Sequence, residues 1–261
     1  MTASMRPFHE VLGHGDKPYL LLLHGVMSSR SQWLANVEEL QEFCNPVLVE
    51  LLGHGRSPSP IDPACYFPQS YVAFFEELRR ELGVPDWFVC GQSFSAGLTM
   101  RYCLTHPDHL KGQIFTNSVS ALAPAETAER QAERKRTIST LRESGRAAIP
   151  NMRYFPRKGR LPDVVFDEMI ADIDLLDPTG LALGMEYTVP GLSVREDFRR
   201  TVVPTLMING AWEKVFQPVA DLAVELLPLI ERVDLDGGHS VNAENAHGFN
   251  KAVAEFIFRH R

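Results

Sequence analysis

Cysteine is scarce in this chain of 261 residues, with only Cys44, Cys65, Cys90 and Cys103. They form no C-x-x-C pair and show no spacing with histidine that would make a zinc site, so four buried free thiols are expected. Long hydrophobic runs are absent. The opening MTASMRPFHEVLGHG has no apolar centre of a secretory leader, and the run Tyr19–Leu23 is too short to span a bilayer. No membrane is therefore expected as a partner, and a cytoplasmic location is expected. Excess positive charge is lacking too: 26 Lys+Arg against 33 Asp+Glu leave a formal charge of −7, which removes any broad attraction for nucleic acid. Internal repeats, low-complexity tracts and flexible linkers are missing as well.

What is present is the composition of a folded globule. Hydrophobic residues make up 44% and charged residues 23%, and the length suits one large core with an inserted subdomain. Short apolar runs bounded by turn residues alternate with longer segments of helical period, the pattern of an α/β fold with a mostly parallel sheet covered by helices. Strands are expected at 19–23, 46–51, 87–90, 113–116, 205–208 and 231–235, and helices near 31–42, 68–83, 95–106, 217–228 and 243–259. From 122 to 199 no buried strand is visible. That stretch opens with AETAERQAERKR and reads as a helical insertion, or cap, into a core made of 1–121 and 200–261; the charged run 129–136 reads as a solvated helix face. Deeper in it, Met152, Tyr154, Phe155, Met169, Leu183, Met185 and Tyr187 are expected mainly to build the insertion's own core, with pocket lining as the alternative.

The strongest local signal is Trp87-Phe-Val-Cys-Gly-Gln-Ser93-Phe-Ser-Ala-Gly97, an apolar strand entering G-x-S-x-S and then a helix. A nucleophilic serine needs such a sharp strand-to-helix turn, with small residues two positions either side, so that its hydroxyl projects above the sheet. Gly91 meets that need; Ser95 stands where glycine is usual. After the first buried strand, His24-Gly25-Val26-Met27 forms a second turn, and the Val26 and Phe94 backbone N–H groups are assigned to an oxyanion hole. His24 and His54 read as structural.

A serine hydroxyl needs a base, and of nine histidines His239, in Asp236-Gly-Gly-His239-Ser240 after the last expected strand, is best placed. His106, His109 and His260 fall near helix ends and are expected to be exposed. The base needs an acceptor on its other nitrogen, and Glu213, three residues past Gly210 at a strand end, supplies a carboxylate.

The order Ser93, Glu213, His239, together with His24-Gly25, Gly53-His-Gly-Arg-Ser57 and Gly238-His239, resembles the α/β-hydrolase superfamily over essentially the full chain. The resemblance implies an eight-stranded, mostly parallel sheet with helices on both faces and a cap after the sixth strand. Aspartate is the commoner acid there, so Glu213 is a departure. Relatives with epoxide hydrolase or dehalogenase activity carry aspartate as nucleophile, and Ser93 counts against both; the cofactor-free haloperoxidases resemble the esterases closely. The G-x-S-x-S-A stretch is also similar to the elbow of small-molecule receptor hydrolases related to strigolactone receptors.

The expected function is that of a serine hydrolase cleaving a carboxylic ester or related acyl bond of a small, apolar substrate through an acyl-enzyme on Ser93, with no metal or organic cofactor. Met27, Trp212, Phe216, Met185 and Tyr187 are candidates for the substrate pocket. Cleavage of a C–C, thioester or lactone bond by the same residues, or a ligand-binding or signalling role, are the alternatives. The sequence specifies no oligomeric state.

Overall fold

The computed structural model describes residues 5–153 and 155–261, so the first four residues and Tyr154 lie outside the description. Its centre is a sheet of seven strands among the described residues, β1 (His9–Val11), β2 (Tyr19–Leu23), β3 (Asn45–Val49), β4 (Trp87–Gln92), β5 (Leu110–Thr116), β6 (Thr205–Gly210) and β7 (Glu231–Leu235). The spatial order is β1-β3-β2-β4-β5-β6-β7, with β1 antiparallel to β3 and every other pair parallel. The resemblance implies eight strands; here a single antiparallel strand, β1, precedes the parallel set.

Alternation along each strand divides the core between the two faces, because successive side chains point to opposite sides. Leu21 and Leu23 of β2 join Val47, Val49 and Val89 on one face, and Leu20 and Leu22 join Leu48, Phe88 and Cys90 on the other. The first face is covered by α2 (Pro68–Glu81), α3 (Ala96–Thr105) and α7 (Gln217–Leu226), which bury Phe74, Phe75, Leu98, Ala220 and Ala223. The second is covered by α9 (Ala246–His260), through Phe249, Val253, Phe256 and Ile257, with the short α1 (Val37–Leu40) and α8 (Val241–Glu244) beside it.

Between β5 and β6 lie α4 (Ala128–Ser144), α5 (Asp163–Ala171) and α6 (Pro178–Leu183), with short 3-10 and π turns and no strand among the described residues. Thr127 caps α4, its hydroxyl accepting the Arg130 N–H at 3.3 Å. Only Ile138 and Leu141 of α4 are buried, and the charged run 129–136 faces solvent except at Arg134, which turns in to the Met185 carbonyl and Glu126. Leu122, Val194 and Phe198, at the two ends of the segment, pack into the cluster that holds Phe115 and Met207 of the sheet. Where the segment lies over the sheet's loops, Gly53 and Gly180 touch backbone to backbone: a Cβ on Gly180 would sit 2.5 Å from the Gly53 Cα.

All four cysteines are buried and free. His106 and His109, expected at exposed helix ends, are half-buried and stack on each other. His109 meets the buried Glu76, which also accepts from Arg79 and the Tyr102 hydroxyl and so ties α2 to α3. Burial works to raise the Glu76 pKa, but those donors outweigh it and hold the carboxyl at about 2.

Candidate active site

The strand order fixes where chemistry can sit. From β2 the chain steps outward to β3 and then returns to the other side of β2 with β4, so the loops leaving β2 and β4 diverge and open a crevice at the strand ends. The loop after β2 carries 24–28, and the turn after β4 carries Ser93.

Ser93 has φ 51°, in the left-handed region that a non-glycine residue occupies only where its surroundings enforce it. Three contacts do so. A Cβ on Gly91 would lie 2.6 Å from Thr99 Oγ1 and 2.7 Å from the Ala96 Cα, so only glycine lets α3 start this close to β4. Gly25 packs as tightly from the other side, where a Cβ would meet the Gln92 side-chain oxygen at 2.2 Å and Ser93 Cβ at 3.5 Å. Ser95, fully buried, accepts the Gln92 N–H at 3.1 Å and donates to the Leu23 carbonyl at 2.8 Å. The departure from glycine at position 95 is thus a hydroxyl that pins the turn to the end of β2.

The loop after β7 brings His239 to the same place. Gln92, the residue before Ser93, donates to the His239 carbonyl at 2.9 Å. The imidazole is half-exposed, and its Nδ1 lies 2.8 Å from Glu213 Oε1, whose side chain is only 15% exposed. A carboxylate on Nδ1 fixes the proton on that nitrogen and leaves Nε2 as the ring's free acceptor.

Asn117, just past β5, was not singled out in the sequence. Buried and left-handed at φ 34°, it donates from Nδ2 to Glu213 Oε2 at 2.5 Å and to the Gly238 carbonyl at 3.1 Å, and its Oδ1 accepts the Gly210 N–H at 2.8 Å. One amide therefore binds the ends of β5 and β6 to the histidine loop. The only sequence signal was an asparagine directly after a strand, a residue type that tolerates the left-handed region.

Two buried histidines hold the loop after β2. His24 donates from Nδ1 to the Gly25 carbonyl at 2.7 Å and accepts the Leu51 N–H on Nε2 at 3.0 Å. His54 donates to the Leu52 carbonyl at 3.0 Å and accepts the Met27 N–H at 3.2 Å. Burial lowers His24 to about 4, and burial with His24 nearby lowers His54 to about 3, so both are neutral braces. The Met27 N–H is thereby occupied, whereas the Val26 and Phe94 N–H groups meet no protein acceptor among the described residues.

A cavity of about 350 Å³ opens here. Its floor is 25–28 with Gln92, its wall Glu213, His239, Ser240 and Glu244, and its roof Arg153, 155–161 and Met169 from the segment between β5 and β6. Of the five pocket candidates only Met27 lines this cavity. Phe216 is wholly buried in the sheet-face cluster with Met207 and Ala220, because its turn directs it inward under α7. Met185 packs among Ile138, Leu141 and Met27 inside the inserted segment, and Tyr187 lies edge-on to Phe67 beside the other sheet-face cluster. Trp212 is 44% exposed outside the cavity, its ring under the Arg160 guanidinium at 3.7 Å. Phe155 and Met169 reach the cavity instead.

The profile of the Alpha/beta hydrolase family matches residues 20–252, and the chain belongs to that family. A Bacillus subtilis (strain 168) protein, whose name provisionally assigns it as a 2-succinyl-6-hydroxy-2,4-cyclohexadiene-1-carboxylate synthase, is 24% identical over 91% of this chain and 89% of its own. Among solved structures, the enol-lactonase from Burkholderia xenovorans LB400 superposes with a TM-score of 0.81 at 20% identity, over 97% of this chain and 96% of that one. A thermophilic esterase from Thermogutta terrifontis superposes with 0.78 at 20% identity, over 98% and 94%. These likenesses show the fold.

Proposed function

We propose that the protein is a serine hydrolase that cleaves an acyl bond of a small molecule, with Ser93 as nucleophile, His239 as general base and Glu213 as its orienting acid. The observation that carries this reading is the Glu213–His239 hydrogen bond of 2.8 Å on a loop tied by Gln92 to the left-handed Ser93. In this reading His239 Nε2 takes the Ser93 proton as Oγ attacks the substrate carbonyl. The tetrahedral oxyanion is held by the Val26 and Phe94 N–H groups, which have no competing protein acceptor among the described residues. His239 then returns the proton to the leaving group, the acyl group remains as an ester on Ser93, and water activated by the same imidazole releases it. The helical segment after β5 serves as a cap, and the cavity beneath it is of a size for a small substrate.

Steady-state hydrolysis of 4-nitrophenyl acyl esters of increasing chain length tests the proposal, with Ser93→Ala as control. Turnover should fall by about three orders of magnitude or more in the variant. Folded wild-type protein that cleaves none of the esters would count against acyl hydrolysis.

A further inference from the structure

The chain as a whole is acidic, yet the roof of the cavity carries cations. Arg153, Arg157, Lys158 and Arg160 all line it, within eight residues of one another. The two acids of the wall do not balance them. Glu213 is held by His239 and Asn117, and Glu244 accepts the Gly238 N–H at 2.8 Å and the Ser240 N–H at 3.3 Å. Lys158 is paired with Asp163. Arg157 has no ion-pair partner among the described residues. Arg160 is held over the Trp212 ring at 3.7 Å, a stacking that occupies the face of a guanidinium and leaves its in-plane N–H donors free. On the floor, Ser28 is 5% exposed and its hydroxyl has no hydrogen-bond partner among the described residues, which leaves it able to donate to a bound group.

We infer that this cavity binds an anionic oxygen group of the substrate, a carboxylate or a phosphate monoester, between the Arg157 and Arg160 guanidiniums of the roof and the Ser28 hydroxyl of the floor. A guanidinium fork matches either anion through two parallel N–H donors. His239, Glu213 and the residue before Ser93, Gln92, line the same cavity, so the anion belongs to the molecule being cleaved. In that respect the inference rests on the hydrolase reading; the anion site itself does not.

The test has two arms. In the first, kcat/KM is measured for 4-nitrophenyl hydrogen glutarate and for 4-nitrophenyl pentanoate, a pair alike but for the terminal carboxylate, with wild type, Arg157→Gln and Arg160→Gln. Wild type should favour the glutarate ester by about tenfold or more, the effect of one charge-assisted hydrogen bond, and the ratio should fall toward one in each variant. Equal use of the two esters by wild type would overturn the inference, while leaving the hydrolase reading intact. In the second arm, glutarate and inorganic phosphate are titrated calorimetrically into wild type and the doubly substituted protein, which needs no turnover. Binding of glutarate alone identifies a carboxylate, and binding of phosphate alone a phosphate monoester; either should be lost in the double variant. Neither binding, or binding that survives the double substitution, would overturn the inference.

Discussion

At the scale of single residues, the proposed site depends on side chains set behind Glu213 and His239. Asn117 is the clearest case, because its amide supplies the second hydrogen bond to Glu213 and also spans to Gly210 and Gly238. Asn117→Gly keeps a backbone that accepts φ 34° and removes only the amide. In the proposed mechanism it is expected to lower kcat by about tenfold while KM changes little, since orientation of His239 is lost and the cavity is not; an unchanged kcat would contradict a positioning role. This residue was illegible in the sequence because its partners lie 93 to 121 positions away. The left-handed turn at Ser93 and the meeting of Glu213 with His239 were legible because each residue follows a recognisable strand. Trp212 and Phe216 show the limit of that logic: both flank Glu213 in sequence, yet one lies outside under Arg160 and the other is sealed in the core.

At the scale of elements, the parallel strands announced themselves as apolar runs, and β2 and β7 fall at the positions expected. The edge strand β1 did not, since three residues, His-Glu-Val, carry no hydrophobic pattern and take their place through antiparallel pairing with β3. The roof of the cavity was equally hidden, as 155–161 has neither helical nor strand period. What brings the segment between β5 and β6 onto the sheet's loops is local contact: the Asp177 N–H donates to the Gly53 carbonyl at 3.0 Å, Ser29 bonds to Asp172, and Gly53 meets Gly180. Gly180→Ala would force a Cβ against the Gly53 backbone and Ser59 Oγ, at 2.5 Å and 2.7 Å. A stability loss of about 1–3 kcal/mol in urea unfolding is expected, the usual penalty of overpacking. Unaltered stability would mean that the two backbones are not in contact.

At the scale of the whole molecule, the same buried histidines that brace the site set a pH dependence. His24 and His54 are held neutral, with pKa values lowered to about 4 and about 3 by burial, whereas in the unfolded chain both titrate near about 6.5. Between about pH 6.5 and 4 the unfolded chain therefore binds more protons than the folded one. Their contribution to stability is fully present above that window and is lost as pH falls through it, at a slope of up to about 1.4 kcal/mol per pH unit for each histidine. Glu76, with its pKa lowered to about 2, acts in the same direction below the ordinary carboxylate range. Unfolding free energies measured from pH 7 to pH 4.5 should decline, and the decline should be shallower in His54→Gln. A profile identical in the two proteins would mean that His54 is not buried neutral.

The central claim, that the crevice between β2 and β4 assembles a nucleophile at Ser93, is tested most directly by trapping the covalent intermediate. The protein is treated with a fluorophosphonate and, in parallel, quenched in acid during turnover of a 4-nitrophenyl ester, then mapped by peptide mass spectrometry. The expected result is a single adduct on Ser93, absent in Ser93→Ala and formed far more slowly in His239→Ala. An adduct on another residue, or ester turnover that persists in Ser93→Ala, would contradict the account.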